Sequence, residues 1–120
     1  MSVLHNKRVL LVEDEAVIAF AVEDALLELG CEVVGPAFCV EDAVALASAE
    51  PIDAAILDVN LNEQRSYAVA DELKRRGVPF LFATGYAESG LDWDRSEVDV
   101  LPKPYRKDQI AAALCRLLDS

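Results

Sequence analysis

The stretch Ala54-Ala55-Ile56-Leu57-Asp58-Val59-Asn60 predicts a buried β-strand that ends at a carboxylate. An unbroken apolar run of this kind is typical of a strand that is covered on both faces of a parallel sheet. Asp58 stands where this strand is expected to give way to a surface loop over residues 59–62. A carboxylate in that position can act as a nucleophile, so Asp58 is the first candidate functional residue.

Three other strand-like runs also lead into polar residues. Residues 8–12 are followed by Glu13 and Asp14, residues 80–83 by Thr84, and residues 98–101, after one proline, by Lys103. The carboxyl ends of parallel strands meet at one edge of a sheet. We therefore expect these four side chains to lie at the same edge as Asp58.

Strand and helix patterns alternate along the whole chain. The predicted strands cover residues 7–12, 31–35, 54–58, 78–83 and 98–101, and the predicted helices cover residues 15–29, 40–49, 66–76 and 106–118. Gly30 and Gly77 follow two of these helices, where glycine is a frequent cap. Residues 85–94 carry two glycines and few regularly spaced apolar residues, so a helix there is expected to be short or irregular. The alternation predicts an α/β fold with a parallel sheet, right-handed crossovers and helices on both faces.

Length and composition predict one globular domain. The chain has 120 residues, 53% of them hydrophobic, which is enough for a substantial core. No apolar run approaches the roughly 20 residues that span a bilayer. The N-terminal residues lack the charged and apolar regions of a secretory signal, so we expect a cytoplasmic protein that does not enter membranes.

Charge and cysteine spacing disfavour two classes of function. The net charge of −11 repels phosphate backbones, so direct binding of nucleic acid is not expected. The dense basic run Lys74-Arg75-Arg76 is interpreted as a favourable charge at a helix C-terminus. The three cysteines follow no zinc or redox spacing, and we expect them to be small buried or half-buried apolar residues: Cys31, Cys39 and Cys115.

The acidic residues at the strand ends predict a magnesium site. Glu13, Asp14 and Asp58 would be held close together, and like charges in one pocket favour a bound cation. An all-oxygen site with few protein ligands suits Mg²⁺. We expect Asp14 to coordinate directly, Glu13 through water, and Asp58 together with the backbone carbonyl of Asn60. The alternative is helix capping, with Asp14 as the cap of the first helix and the Glu15 charge favouring its dipole.

Thr84 and Lys103 add groups that bind phosphoryl oxygens. A hydroxyl and an ammonium beside a metal form an electrostatic cradle for phosphoryl transfer, a reaction that depends mostly on positioning and charge neutralisation. Taken singly, Thr84 could be an ordinary turn residue and Lys103 a solvated charge. The coincidence of four strand endings favours the phosphoryl-transfer interpretation.

Together these motifs resemble the response regulator receiver domains of the CheY-like superfamily, over essentially the whole chain. The motifs are Val12-Glu13-Asp14-Glu15, Ile56-Leu57-Asp58-Val59-Asn60-Leu61, Ala83-Thr84-Gly85 and Lys103-Pro104. The resemblance implies a (βα)5 flavodoxin-like fold with strand order 2-1-3-4-5. It also implies that Asp58 accepts a phosphoryl group from a histidine kinase or histidine phosphotransfer protein, with Mg²⁺ required. Glu13 and Asp14 match the family's acidic pair, Thr84 its switch hydroxyl and Lys103 its invariant lysine.

Residues Phe82-Ala83-Thr84-Gly85-Tyr86 are similar to the signature of the FAT GUY subgroup, many of whose members are single-domain proteins with an altered fourth helix. In receivers the Lys-Pro bond, here Lys103-Pro104, is typically cis. Leu101 departs from the family, because many receivers have an aromatic switch residue there. Tyr86 and Tyr105 are the alternative switch residues, and Trp93 is expected to anchor its loop or to contribute to a partner-binding surface.

The resemblance implies a signalling phosphoacceptor that catalyses only its own phosphorylation and dephosphorylation. We expect residues 1–120 to form a single receiver domain without an effector domain, so the output would be contact with a downstream protein, action as a phosphate sink, or the function of a longer regulator of which this is a fragment. Homodimerisation through the last strand and helix is a further expectation.

Two alternative functions remain open at this stage. A Mg²⁺-dependent phosphohydrolase with an aspartyl-phosphate intermediate would normally have its nucleophile on the first strand and a second acid two residues later. Here the candidate lies on the third strand, and Asn60 stands at that second position. The other alternative is a receiver-like interaction module that is never phosphorylated, and the complete set of five candidate side chains argues against it.

Overall fold

A parallel five-stranded sheet with helices on both faces forms the centre of the protein. The computed structural model describes residues 4–61, 64–84, 99–102 and 106–119. Along the chain the elements are β1 (Arg8–Val12), α1 (Ala16–Glu28), β2 (Glu32–Ala37), α2 (Val40–Ala49), β3 (Ala54–Asp58), β4 (Asn60–Leu61), β5 (Gln64–Arg65), α3 (Tyr67–Arg75), β6 (Phe80–Thr84), β7 (Asp99–Pro102) and α4 (Lys107–Asp119).

The strand order confirms the fold that was predicted from the sequence. The large sheet has the order β2-β1-β3-β6-β7, and every neighbouring pair is parallel. Numbered by the five long strands alone, this is the order 2-1-3-4-5. The four predicted helices and five predicted strands all occur, with ends that shift by no more than two residues. The weak segment after Thr84 lies outside the described residues.

Two local predictions were wrong. The residues after Asp58 were expected to form only a loop, but β4 and β5 pair as a short antiparallel hairpin. The second strand was expected to end at Gly35, but it continues through Pro36 to Ala37. Proline is tolerated there because β2 is an edge strand and its pairing with β1 is irregular at this point.

Gly30 ends α1 by a mechanism that its sequence position predicted. Its φ is +89°, in the left-handed region that favours glycine. The N–H of Cys31 donates to the Leu26 carbonyl and that of Gly30 donates to the Leu27 carbonyl. This pair of hydrogen bonds is a Schellman motif, which satisfies carbonyls that the helix itself leaves free.

Two hydrophobic clusters, one on each face of the sheet, form the core. The first lies between the sheet and helices α2 and α3, and it includes Leu10, Leu57 and Phe82. The second lies between the sheet and helices α1 and α4, and it includes Leu11, Ile56 and Leu81. Because alternate residues of one strand enter different clusters, both faces of the sheet are buried. The cysteine prediction is confirmed, since Cys31 is buried in the second cluster and the other two are half-buried and unpaired.

The basic run at residues 74–76 has two roles. Lys74 and Arg75 lie in the last turn of α3, as predicted for charges that favour a helix C-terminus. Arg76 instead reaches the end of α2, where its guanidinium donates to the backbone carbonyls of Ala47 and Glu50, the latter at 2.8 Å. The run therefore also joins the two helices on this face. None of the described helices is long and apolar enough to cross a membrane.

Candidate metal centre

The register of the sheet places Glu13 beside Asp58. Val12 of β1 pairs with Leu57 of β3, so the next residue of each strand emerges at the same level of the carboxyl edge. Chain order reverses between these two strands, because β1 is followed in the sheet by β2 on one side and β3 on the other. Such reversal points are the usual positions of sites in open α/β sheets.

Backbone hydrogen bonds extend this edge to the neighbouring strands. The Glu13 N–H donates to the carbonyl of Ala37 at the end of β2, at 3.0 Å. The Val59 N–H donates to the carbonyl of Ala83 in β6, at 3.2 Å. The main chain at Glu13 and at Val59, the residue after Asp58, is thus held against the neighbouring strands.

Three carboxylates converge at this edge, as the sequence predicted. One potential ligand atom from each of Glu13, Asp14 and Asp58 lies within 4.8 Å of the others. Glu13 is 1% exposed and Asp58 is 8% exposed, whereas Asp14 is half-buried. Close negative charges with limited access to water repel one another, and a cation relieves this repulsion. The donor set consists of carboxylate oxygens, which fits Mg²⁺.

Glu13 has a second contact that the sequence did not reveal. Its Oε2 accepts a hydrogen bond from the backbone N–H of Glu15 at 3.1 Å. Glu15 is the N-cap of α1 and makes no side-chain capping bond of its own. The sequence had suggested Asp14 as the cap, but Glu13 makes this contact. It orients one oxygen of the buried carboxyl toward the helix.

The remaining candidates are described in part. Asn60 begins β4 two residues after Asp58, and Thr84 ends β6, where its backbone pairs with Pro102 of β7. Their side chains lie outside the description. So do Lys103, its bond to Pro104, and the three aromatic residues of the sequence-based switch and surface predictions, which are Tyr86, Trp93 and Tyr105. The structure therefore brings together the three acids and places the backbone of Thr84 next to the strand that leads into Lys103.

Ser66 follows the β4–β5 hairpin and was not singled out from the sequence. It is the N-cap of α3 and is fully buried, but its hydroxyl has no hydrogen-bond partner among the described residues. An unsatisfied buried hydroxyl is costly, so Ser66→Ala is expected to raise the free energy of unfolding by about 1 kcal/mol. Urea denaturation measures this difference. A loss of stability of similar size would instead indicate that the hydroxyl caps α3 in solution.

Comparisons with known proteins agree with this geometry. The family described as the response regulator receiver domain matches residues 9–115. The phyllosphere-induced regulator PhyR of Methylorubrum extorquens is 34% identical over 92% of the chain, but the match spans only 43% of that regulator's length. The solution structure of SdrG from Sphingomonas melonis Fr1 is 42% identical, with a TM-score of 0.84 and coverage of 94% of this chain and 97% of SdrG.

A third relative was solved with its metal. The receiver domain of the sensor histidine kinase PA1611 from Pseudomonas aeruginosa PAO1 is 28% identical, with a TM-score of 0.82 and coverage of 96% of this chain and 99% of that one. That crystal structure has a magnesium ion coordinated in the active site cleft. The acidic cluster described above is suited to the same ion.

Proposed function

Because this chain belongs to the response regulator receiver domain family, we propose that Asp58 is its phosphoacceptor. One observation carries the proposal: Asp58 ends β3 within a cluster of three carboxylates at the carboxyl edge of the sheet. The phosphoryl donor is a histidine kinase or a histidine phosphotransfer protein. An Asp58 carboxylate oxygen attacks the phosphorus, a P–O bond forms, the P–N bond breaks, and the donor histidine leaves.

The other residues of the site prepare Asp58 for this transfer. Asp14 would hold Mg²⁺ directly and Glu13 through water, with Asp58 and the Asn60 carbonyl completing the protein ligands. When bound, the ion neutralises charge on the transferring phosphoryl oxygens. Thr84 is proposed to donate a hydrogen bond to a phosphoryl oxygen, and Lys103 to pair with the aspartyl phosphate.

The output of this reaction is proposed to be contact with a downstream protein, or removal of phosphoryl groups as a sink. Phosphorylation adds negative charge and strong acceptor oxygens at the end of β3. Thr84 ends the neighbouring strand β6, and its backbone pairs with Pro102 of β7. The surface formed by β7 and α4 is therefore proposed to change when Asp58 is phosphorylated. A homodimer through β7 and α4 belongs to the same proposal, and light scattering with and without a phosphoryl mimic measures it.

Intact-mass measurement after incubation with acetyl phosphate and Mg²⁺ tests the proposed function. We expect one phosphoryl adduct that is stable in acid and labile in base. It should disappear with EDTA and in Asp58→Asn. Asp53→Asn is the matched control, because Asp53 lies just before β3, at the opposite end of the strand, and should leave the adduct unchanged.

Two results would contradict the proposal. One is the absence of any adduct, or its retention at the same stoichiometry in Asp58→Asn. The other is continuous release of phosphate from a soluble ester such as p-nitrophenyl phosphate, which favours the phosphohydrolase alternative.

A further inference from the structure

The hairpin that follows Asp58 has two distinct faces. It consists of β4 and β5, in which Asn60 pairs with Arg65 and Leu61 pairs with Gln64. Successive residues of a strand belong to opposite faces, and directly paired residues of antiparallel strands share a face. Leu61 is 1% exposed within the core cluster that lies against α2 and α3, so the Leu61–Gln64 pair belongs to the buried face. The Asn60–Arg65 pair therefore belongs to the other face.

Burial on both sides of the hairpin supports this assignment and extends it to the acceptor. Every second residue from 57 to 61 is buried in the same core cluster. Ser66, which is opposite Val59, is also fully buried, and its N–H donates to the Val59 carbonyl at 2.9 Å. The alternation thus assigns Asp58 and Arg65 to one face of the chain, the face that is turned away from this cluster.

The hydrogen-bond pattern places the backbone of Arg65 beside a proposed metal ligand. Hydrogen-bonded and non-hydrogen-bonded pairs alternate in an antiparallel ladder. Because residues 59 and 66 are joined by a hydrogen bond, Asn60 and Arg65 form a non-hydrogen-bonded pair. The Cα atoms of such a pair are about 4.5 Å apart, and neither carbonyl bonds across the hairpin. Asp58 lies two residues before Asn60, about 6.6 Å along an extended chain, which is a distance that an arginine side chain can span. This placement is that of the backbone, since the Arg65 side chain lies outside the description.

The charge of the phosphorylated site requires a further cation. Residues 9–64 include 13 acidic residues and no Lys or Arg, so Arg65 is the first Lys or Arg along the chain after Arg8. The acidic pair at residues 13 and 14 and an aspartyl phosphate together carry about four negative charges. This exceeds the combined positive charge of Mg²⁺ and Lys103 by about one. A guanidinium at this edge of the sheet would neutralise the remainder.

We infer that Arg65 binds the phosphoryl group on Asp58, with its guanidinium donating to two phosphoryl oxygens. Arginine is suited to this role because its two parallel N–H donors match the geometry of a phosphate, and because it stays charged at any working pH. The inference rests on the proposed function, since only phosphorylation of Asp58 brings phosphoryl oxygens beside the hairpin. The alternative is that Arg65 is an ordinary solvated charge on the outer face of β5.

Beryllofluoride tests this contact, because it mimics a phosphoryl group on a carboxylate without being transferred. Calorimetric titration at saturating Mg²⁺ measures its dissociation constant. Arg65→Ala is expected to weaken beryllofluoride binding at least tenfold and to lower the rate constant for phosphorylation by acetyl phosphate by a similar factor. Arg65→Lys should recover only part of the loss, because it keeps the charge but not the paired donors. Arg75→Ala is the matched control, since Arg75 is an exposed arginine in the last turn of α3, next to the amino end of β6 and thus at the edge of the sheet opposite to Asp58.

The affinity for Mg²⁺ alone distinguishes loss of the guanidinium from damage to the hairpin. Damage would displace the Asn60 carbonyl and weaken Mg²⁺ binding, whereas removal of a positive charge near the ion should leave the Mg²⁺ affinity of Arg65→Ala unchanged or raise it. This affinity is obtained from the Mg²⁺-dependent gain in the free energy of unfolding, with neither acetyl phosphate nor beryllofluoride present.

Three results would overturn the role of Arg65. They are a beryllofluoride affinity of Arg65→Ala within threefold of wild type, an equal loss in Arg75→Ala, and a fall in Mg²⁺ affinity that parallels the fall in beryllofluoride affinity. In each case a wild type that forms the acetyl phosphate adduct leaves the proposed function intact. Failure of the wild type to form that adduct would instead refute the proposed function, and the role of Arg65 with it.

Discussion

Asp14→Asn is expected to slow phosphorylation of Asp58 by acetyl phosphate and Mg²⁺ at least a hundredfold, roughly the loss that follows removal of a charge-stabilising group from an active site. Asp14 is the least buried of the three acidic residues in the cluster, and it is the proposed direct ligand of the ion. An amide keeps the shape of the side chain but removes the charge that attracts Mg²⁺. Rates are measured by intact mass at fixed times over a range of Mg²⁺ concentrations.

The same substitution should have the opposite effect on the stability of the metal-free protein. Three carboxylates within 4.8 Å repel one another, and removing one charge relieves part of that repulsion. In EDTA we expect Asp14→Asn to unfold at a higher urea concentration than wild type. Its free energy of unfolding should be larger by roughly 1 kcal/mol or more. In wild type, Mg²⁺ at a hundred times its dissociation constant adds about 2.7 kcal/mol, and this increment should be lost in the variant.

Asp24→Asn controls for the loss of one negative charge from an acidic chain. Asp24 is exposed on α1, and its replacement should change neither the Mg²⁺ response nor the rate with acetyl phosphate. If Asp14→Asn keeps the full Mg²⁺-dependent stabilisation, the ion binds elsewhere and the proposed ligand set is wrong.

The features that sequence patterns predicted well depend on periodicity and on parallel pairing. Apolar runs marked the strands, three- and four-residue spacing marked the helices, and Gly30 marked the end of α1. Once the strands are parallel, their carboxyl ends must share an edge, so the convergence of Glu13, Asp14 and Asp58 could be predicted without coordinates. No part of that prediction required knowledge of a side-chain contact.

The features that the sequence did not reveal depend on tertiary context. The contact between Glu13 and the Glu15 N–H requires knowledge of a side-chain direction, and either acid before α1 could have made it. The edge-to-face pair of phenylalanine rings joins residues that are eighteen positions apart, so no local pattern relates Phe20 to Phe38. The continuation of β2 through Pro36 depends on an irregular pairing with β1 that composition cannot show.

Gly35→Ala is expected to be the most destabilising substitution among the three described glycines, Gly30, Gly35 and Gly77. Leu10 pairs with Val34, but Val12 pairs with Ala37, so β2 contains one extra residue at this point. Gly35 has a φ of +101°, and a Cβ there would lie 2.8 Å from the Ala37 nitrogen and 3.0 Å from the Leu11 carbonyl oxygen. Both atoms belong to the backbone and cannot move aside as a side chain can. We expect a loss of roughly 3–5 kcal/mol, from the strained φ and the steric overlap together.

Gly77→Ala separates these two causes. Gly77 also has a positive φ, of +74°, but nothing lies within 4 Å of its added Cβ. Its substitution should cost only about 1–2 kcal/mol, the penalty of the left-handed conformation alone. Urea denaturation in EDTA gives both values without the contribution of bound metal. Equal losses for the two variants would mean that the β2 backbone shifts to accept the Cβ. Such a shift would move the Ala37 carbonyl that accepts the Glu13 N–H, so in that case Gly35→Ala should weaken the Mg²⁺ response while Gly77→Ala leaves it intact.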